Sequence, residues 1–196
     1  MMVKHSHSSQ HGSFAVEFAI ILLMLLTLLF GVIEMARLMY VYNTLQDATR
    51  RAAAGAAVTD WRDLAAMDLV RQRALFRTGP GELVLGKPVT DAHVRIDYLA
   101  IVRDGANHLA LSPIPAGDLP SCHARNRVVC AANPNDAHCI RLVRVRICAP
   151  ADATACQPVY YTSLFGLFPK TARLPVSTTI VPAETLGYLP GDAPCP

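Results

Sequence analysis

No cysteine precedes Cys122, charge is scarce and aromatic side chains are few. Charged residues make up only 17% of the 196-residue chain, and mean hydropathy is +0.29. That balance excludes an intrinsically disordered chain, which needs low hydrophobicity and high net charge. It also speaks against an ordinary soluble enzyme. Aromatics stand at 7% with one Trp, and 18 basic residues face 15 acidic ones for a net charge of +3. A strongly cationic, base-stacking nucleic-acid binder is thereby excluded. Catalytic signatures are missing as well: there is no Gly-x-Ser-x-Gly, no His-Glu-x2-His, no Walker loop and no dinucleotide fingerprint. The glycines from Gly79 to Gly86 lead into Lys87-Pro88 rather than Lys-Ser/Thr, so they form no phosphate loop. No catalytic residue, cofactor or metal is expected.

What the chain does have is one long apolar run. Phe18 to Ile33 reads FAIILLMLLTLLFGVI without a charge, and extending it back to Phe14 adds only Glu17. Twenty helical residues at ~1.5 Å each span roughly 30 Å, the thickness of a bilayer core. Apolar residues surround such a helix on every side, and a chain of this size has no core large enough to bury it. A membrane span follows. A cleaved secretory signal fits less well: the apolar part is long, and it runs into Glu34-Met35-Ala36-Arg37 without a small-x-small cut site. Lys4 before the span and Arg37, Arg50 and Arg51 after it do not set orientation by count. The six cysteines, Cys122, Cys130, Cys139, Cys148, Cys156 and Cys195, all lie beyond the span and point to disulfides in an oxidising compartment. The expected arrangement is a single membrane pass, with the N-terminus cytoplasmic and the body periplasmic or extracellular.

A carboxylate one turn into a membrane helix is costly and asks for a partner. Glu17 sits in the string His11-Gly12-Ser13-Phe14-Ala15-Val16-Glu17-Phe18. A cut after Gly12 would give Ser13 a free α-amino group, with Glu17 as the fifth residue of the product. Ammonium and carboxylate at that spacing can compensate each other, within one chain or between neighbours staggered by a helical turn. The buried charge then sets register, as single polar residues do in coiled coils.

Gly12 followed by SFAVEF and an unbroken apolar helix resembles the processing signal of type IV prepilins. The longer pattern, AVEFA, the apolar run, then FGVIEMARLMYVYNTLQDATRRAAAGAA, resembles the TadE-like pseudopilin family of tight-adherence (Flp) pilus assembly systems. Gly12, Glu17, Phe18, Gly31, Glu34, Arg37, Tyr40, Arg50, Arg51 and the alanines from Ala52 to Ala57 carry the resemblance, over roughly residues 12 to 58. Leu23 stands where family members often have a proline, which removes a kink. The resemblance implies cleavage between Gly12 and Ser13 by a prepilin peptidase. It implies other pilins or pseudopilins and a pilus assembly platform as partners, besides the lipid bilayer. It makes Glu17, Gly31, Glu34, Arg37 and Gly55 assembly and helix-packing residues.

Beyond Ile33, Leu38, Val41, Leu45, Ala48, Ala52 and Gly55 recur at three- and four-residue steps, so the helix continues to about Val58, roughly 65 Å in all. Small residues at Ala48, Ala52, Gly55 and Ala56 let another helix approach closely. Glu34 and Arg37, three apart, share a face, and a solvated pair there contributes little. A second helix is expected from Thr59 or Asp60, with those residues as its cap, Leu64, Met67 and Leu75 on its apolar side, and Gly79-Pro80-Gly81 as its end.

After Gly81 the period becomes two. Val94, Ile96 and Tyr98 alternate with Arg95, Asp97 and Leu99 in one strand. A second covers 139 to 148, with Val143, Val145 and Ile147 on one side, Arg144 and Arg146 on the other, and a bulge expected at Leu142-Val143. Val176, Thr178 and Ile180 suggest a third. Residues 104 to 138 read as a long loop. An arginine face of Arg141, Arg144 and Arg146 is either solvated or open to an acidic partner or polysaccharide. Among the cysteines, Cys139 and Cys148 bound one strand and are too far apart to pair if it is straight. Cys122 with Cys130 and Cys148 with Cys156 are the local loops that spacing suggests, although six cysteines permit 15 pairings. His123 and His138 neighbour cysteines, but no Cys-x2-Cys exists and zinc is disfavoured.

The expected architecture is α+β: a long N-terminal membrane-spanning helix extended outward, packed with a small antiparallel sheet and a disulfide-bearing loop region. Its parts are a cleaved leader over 1–12, a transmembrane helix over 13–36, an extended helical segment over 37–78 and an outer β-rich domain over 79–196. The expected role is that of a minor pseudopilin in pilus assembly. The competing one is an uncleaved single-pass envelope protein with a disulfide-stabilised binding domain.

Overall fold

A computed structural model describes residues 11–150, 155–166, 172–191 and 195, with side chains from Phe14 onward. The expected leader therefore lies almost wholly outside the described residues. Helix α1 runs unbroken from His11 to Val58, straight through Leu23, where no proline interrupts it. It is long and apolar enough to cross a membrane. Thr27, the polar residue within the run, donates its hydroxyl to the Leu23 carbonyl, four residues back, at 2.8 Å.

Four strands form an antiparallel sheet in the order β2-β1-β3-β4: β1 (Val94–Arg103), β2 (Leu109–Pro113), β3 (Leu142–Ile147) and β4 (Thr178–Pro182). Tyr98 pairs with Val143 and Ile96 with Val145, so the apolar members of β1 and β3 share one face. That face packs on the upper part of α1, with Val143, Val145 and Ile147 buried against Val41, Leu45, Ala48 and Ala52. Thr49 and Thr179 join helix to β4 through their hydroxyls at 2.9 Å. Helix α2 (Leu64–Ala74) folds back on α1 beside Gly55. The C-terminal segment caps α1: Glu184 and Leu186 donate backbone N–H groups to the Ala57 carbonyl, and Gly187 to that of Val58. Gly187 has φ +85°, and a β-carbon there would lie 2.7 Å from the Asp60 nitrogen, so only glycine fits.

Several local expectations are corrected. The cap of α2 is Asp63, whose carboxylate accepts from the Ala66 N–H at 2.9 Å, because Asp60 is already occupied by Arg62. Leu64 is exposed while Met67 and Leu75 are buried, and the helix stops before Gly79. No bulge breaks β3: Leu142 pairs in register with Leu99 and Pro182, and burial alternates regularly. In β4 the inward residues are Thr179 and Val181 rather than Thr178 and Ile180, the register with β3 having set the opposite phase. Residues 104 to 138 are not loop alone. They contain β2 and a third helix, α3 (His123–Ala132), whose N-cap is Cys122.

All six cysteines are bonded. Cys148 pairs with Cys156, and Cys139 does not pair with Cys148, both as spacing suggests. Cys122 pairs with Cys195 rather than Cys130, which bonds Cys139 instead. The reason is α3: it carries Cys122 at its start and Cys130 in its last turns, so the two cannot close on each other. Cys130 reaches the approach to β3, and Cys122 ties the far C-terminus. In a chain-entropy description the 73-residue closure contributes about 4.4 kcal/mol and each short one about 2.6.

Candidate functional site at the mouth of the span

The candidate site is a stretch of α1 rather than a cleft. From Phe14 to Leu29 every residue is exposed, because the described part of the outer body does not pack on the lower helix. Gly12 and Ser13 lie in its first turn. Glu17 and Phe18 lie on this bare stretch, Phe18 at 57% exposure. Gly31 has open space where a side chain would be.

At Glu34 the surroundings change within one turn. Glu34 is fully buried, although it ends the apolar run. Its Oε1 accepts from the Tyr161 hydroxyl at 2.6 Å, and the Leu164 backbone N–H donates to both carboxylate oxygens at 3.2 and 3.1 Å. Arg37 Nη1 lies 3.5 Å from Glu34 Oε1. Arg37 also donates to the carbonyls of Leu85 at 2.8 Å and Thr162 at 2.6 Å, to the Tyr161 hydroxyl at 2.9 Å, and more weakly to Lys87. Its guanidinium lies over the Tyr161 ring. Burial, together with the hydrogen bond to Glu34, pushes the Tyr161 hydroxyl up to about 12, so it stays protonated and donates.

The i,i+3 spacing thus brings together what sequence reading places on one face, but not as a solvated pair. Glu34 and Arg37 lock two loops, 85–87 and 161–164, to the helix. A buried pair satisfied on this many atoms serves as an orientation device, since breaking it leaves uncompensated polar groups. Tyr161 and Leu164 are the members that sequence reading missed. They lie 127 and 130 residues away from Glu34, and no local signal connects them.

Gly55 sits farther up. A β-carbon there would meet Val70 Cγ1 at 3.1 Å, so this glycine serves contact with the chain's own α2. Ala48, Ala52 and Ala56 are also covered from within the subunit. The opposite side of α1 remains open: Met35, Met39, Tyr40 and Tyr42 are exposed and continue the apolar surface above the apolar run. On the outer sheet face Asp97 binds Arg95, Arg144 and Arg146 at 3.2, 3.1 and 2.6 Å. Arg141 leaves that cluster for the Pro134 carbonyl. Among the described residues no group of three or more His, Cys, Asp or Glu is placed to hold a metal.

Residues 12–54 match the family model described as TadE-like protein. The chain carries a TadE-like segment that starts at Gly12 and ends within α1. The match supports involvement in tight-adherence pilus assembly, and the family is a structural, pilus-related one rather than a family of enzymes. One N-terminal apolar helix fits a single-pass membrane protein. No curated protein and no solved structure matches the chain.

Proposed function

Starting from that TadE-like segment, we propose that the protein is a minor pseudopilin. It is made as a precursor, cut by a prepilin peptidase between Gly12 and Ser13, and used in assembling a tight-adherence pilus. The observation that carries this reading is the bare helix from Phe14 to Leu29, which the described body leaves uncovered and which lies within the family match over residues 12–54. An apolar rod of this kind needs lipid while the subunit waits in the inner membrane, and neighbouring helices once it is extracted. Residues 13–36 form the stored segment, 37–78 carry the helix outward, and 79–196 form the periplasmic body, presented at the surface if the subunit enters the pilus. Glu17 pairs with the new Ser13 amine, or with that of a neighbour, and fixes the stagger between subunits. Gly31 and the open Met35, Met39 and Tyr42 side are the surfaces on which neighbouring pilins pack. Glu34 and Arg37 hold the body at a fixed angle to the helix.

N-terminal sequencing of protein extracted from membranes tests the reading. A mature start at Ser13 is expected. An intact Met1 start would leave only a tethered envelope protein with a disulfide-stabilised outer domain. Replacing Glu17 with Ala should preserve membrane insertion and impair pilus formation, and normal pili from that variant would remove the register argument.

A further inference from the structure

Phe165 belongs to the outer body, yet its ring stacks on that of Phe30, with centroids 4.7 Å apart and planes at 22°. Phe30 is three residues, or roughly 4.5 Å of helix rise, below Ile33, where the apolar run ends. The stack therefore sets Phe165 at a depth that belongs to the span. The neighbouring backbone is fixed there too, because the Leu164 N–H is held by both oxygens of the buried Glu34. Leu164 is 57% exposed and Phe165 44%, so two large apolar side chains face outward at the level where the apolar run of the helix ends.

Water is the wrong medium for that pair, and the first turns of acyl chain are the right one. We propose that the Leu164–Phe165 tip is an interfacial anchor that inserts into the leaflet on the body's side of the bilayer. Apolar side chains lying about 5–10 Å into the headgroup and acyl boundary gain from burial in proportion to their area. The insertion has a second consequence. The tip covers the Glu34 carboxylate, so the acid at the end of the span meets hydrogen-bond donors instead of hydrocarbon. The anchor thus seats the body against the membrane at a set height. The inference rests on α1 spanning a bilayer, and it goes beyond the role in pilus assembly.

The test uses the full-length protein in phosphatidylcholine vesicles, with Trp61→Phe to remove the single native indole. Three probes are added separately: Phe165→Trp, Leu164→Trp, which keeps the Phe30–Phe165 stack, and Leu23→Trp at mid-span. Quenching is compared for lipids brominated near the glycerol, lipids brominated deep in the chain, and aqueous acrylamide. The expected result is blue-shifted emission from both tip probes, with several-fold stronger quenching by the shallow bromines than by acrylamide, while Leu23→Trp responds most to the deep ones. Tip probes quenched by acrylamide alone would overturn the anchor while leaving the span intact. Tip probes shielded from both lipid and acrylamide would mean protein covers the tip, which also overturns it. A Leu23→Trp probe blind to brominated lipid would remove the span itself and the anchor with it.

Discussion

Residues 14–29 and residues 34–57 belong to one helix, yet they are held by different surroundings. The lower stretch is exposed on all sides and, apart from Glu17 and Thr27, apolar on all sides. The upper stretch buries one side, which includes Val41, Leu45, Ala48, Thr49, Ala52, Ala53, Ala56 and Ala57, and leaves the other open. Composition explains the difference. Leucine and isoleucine all round leave no preferred face for a sheet to cover. Alanines and threonines at three- and four-residue steps give a flat side on which β1, β3 and β4 lie close to the backbone. The boundary between the two regimes is Glu34 with Arg37, which lock the body to the helix one turn above Phe30, where Phe165 of the body touches it. Folding of the subunit should therefore depend on the upper stretch and be almost indifferent to the lower one.

The boundary itself provides the largest expected effect. Glu34→Ala leaves the Arg37 guanidinium, the Tyr161 hydroxyl and the Leu164 N–H short of a buried acceptor. Breaking a buried pair in this way costs about 3–5 kcal/mol. Chemical unfolding in detergent micelles should show it, and a loss below about 0.5 kcal/mol would mean that the lock is ornamental. The comparison along the helix is next in size. Leu45 is fully buried and Leu28 is 67% exposed. Leu45→Ala should cost roughly 2–5 kcal/mol, whereas Leu28→Ala should stay within about 0.5 in the same micelles. Equal losses would erase the distinction between the two stretches.

Smaller changes sharpen it. Gly31→Ala meets no atom, so the better helix propensity of alanine should stabilise the subunit by about 0.5–1 kcal/mol. Gly55→Ala gains the same propensity but presses on Val70 at 3.1 Å, and should end about 1 kcal/mol less favourable than Gly31→Ala. If Gly31→Ala subunits fold better yet fail to assemble, the lower glycine serves neighbours, as the upper one serves α2.

How much of the molecule is legible in its sequence follows the same division. The apolar rod rests on length and want of charge, the extension to Val58 and the buried faces of β1 and β3 on periodicity, and all can be read from their own residues. Helix α3 cannot: HARNRVVCAA has no apolar stripe, buries only Asn126, and is held by Cys122 at its cap and by two disulfides. Strand β2 hides for a related reason, since an edge strand with Leu109 and Leu111 exposed shows no alternation. The phase of β4 comes from its pairing with β3. The Glu34 lock is half legible: i,i+3 spacing names the pair, but its burial depends on a loop more than 120 residues downstream.

The smallest effect separates the body from the helix by pH. His93 ends the turn before β1, where the Thr90 N–H donates to its Nδ1 at 3.0 Å. Half-burial disfavours the imidazolium and holds this histidine below its ordinary 6.5. The sign follows from proton counting. Below about pH 6.5 the unfolded chain takes up a proton that the folded chain still refuses, so stability falls as pH drops, and the contribution is whole only above that value. The lower stretch of α1 has no histidine between Gly12 and Ile33 and should not share the effect. Melting of the outer body between about pH 7 and about pH 5 should therefore lose stability that His93→Gln restores in part. Solvent screens the exposed half of the ring, so the recovery should be smaller than the Leu45→Ala loss. An unchanged pH slope in the variant would assign the acid sensitivity to other groups, and the body would then be no more proton-linked than the rod that carries it.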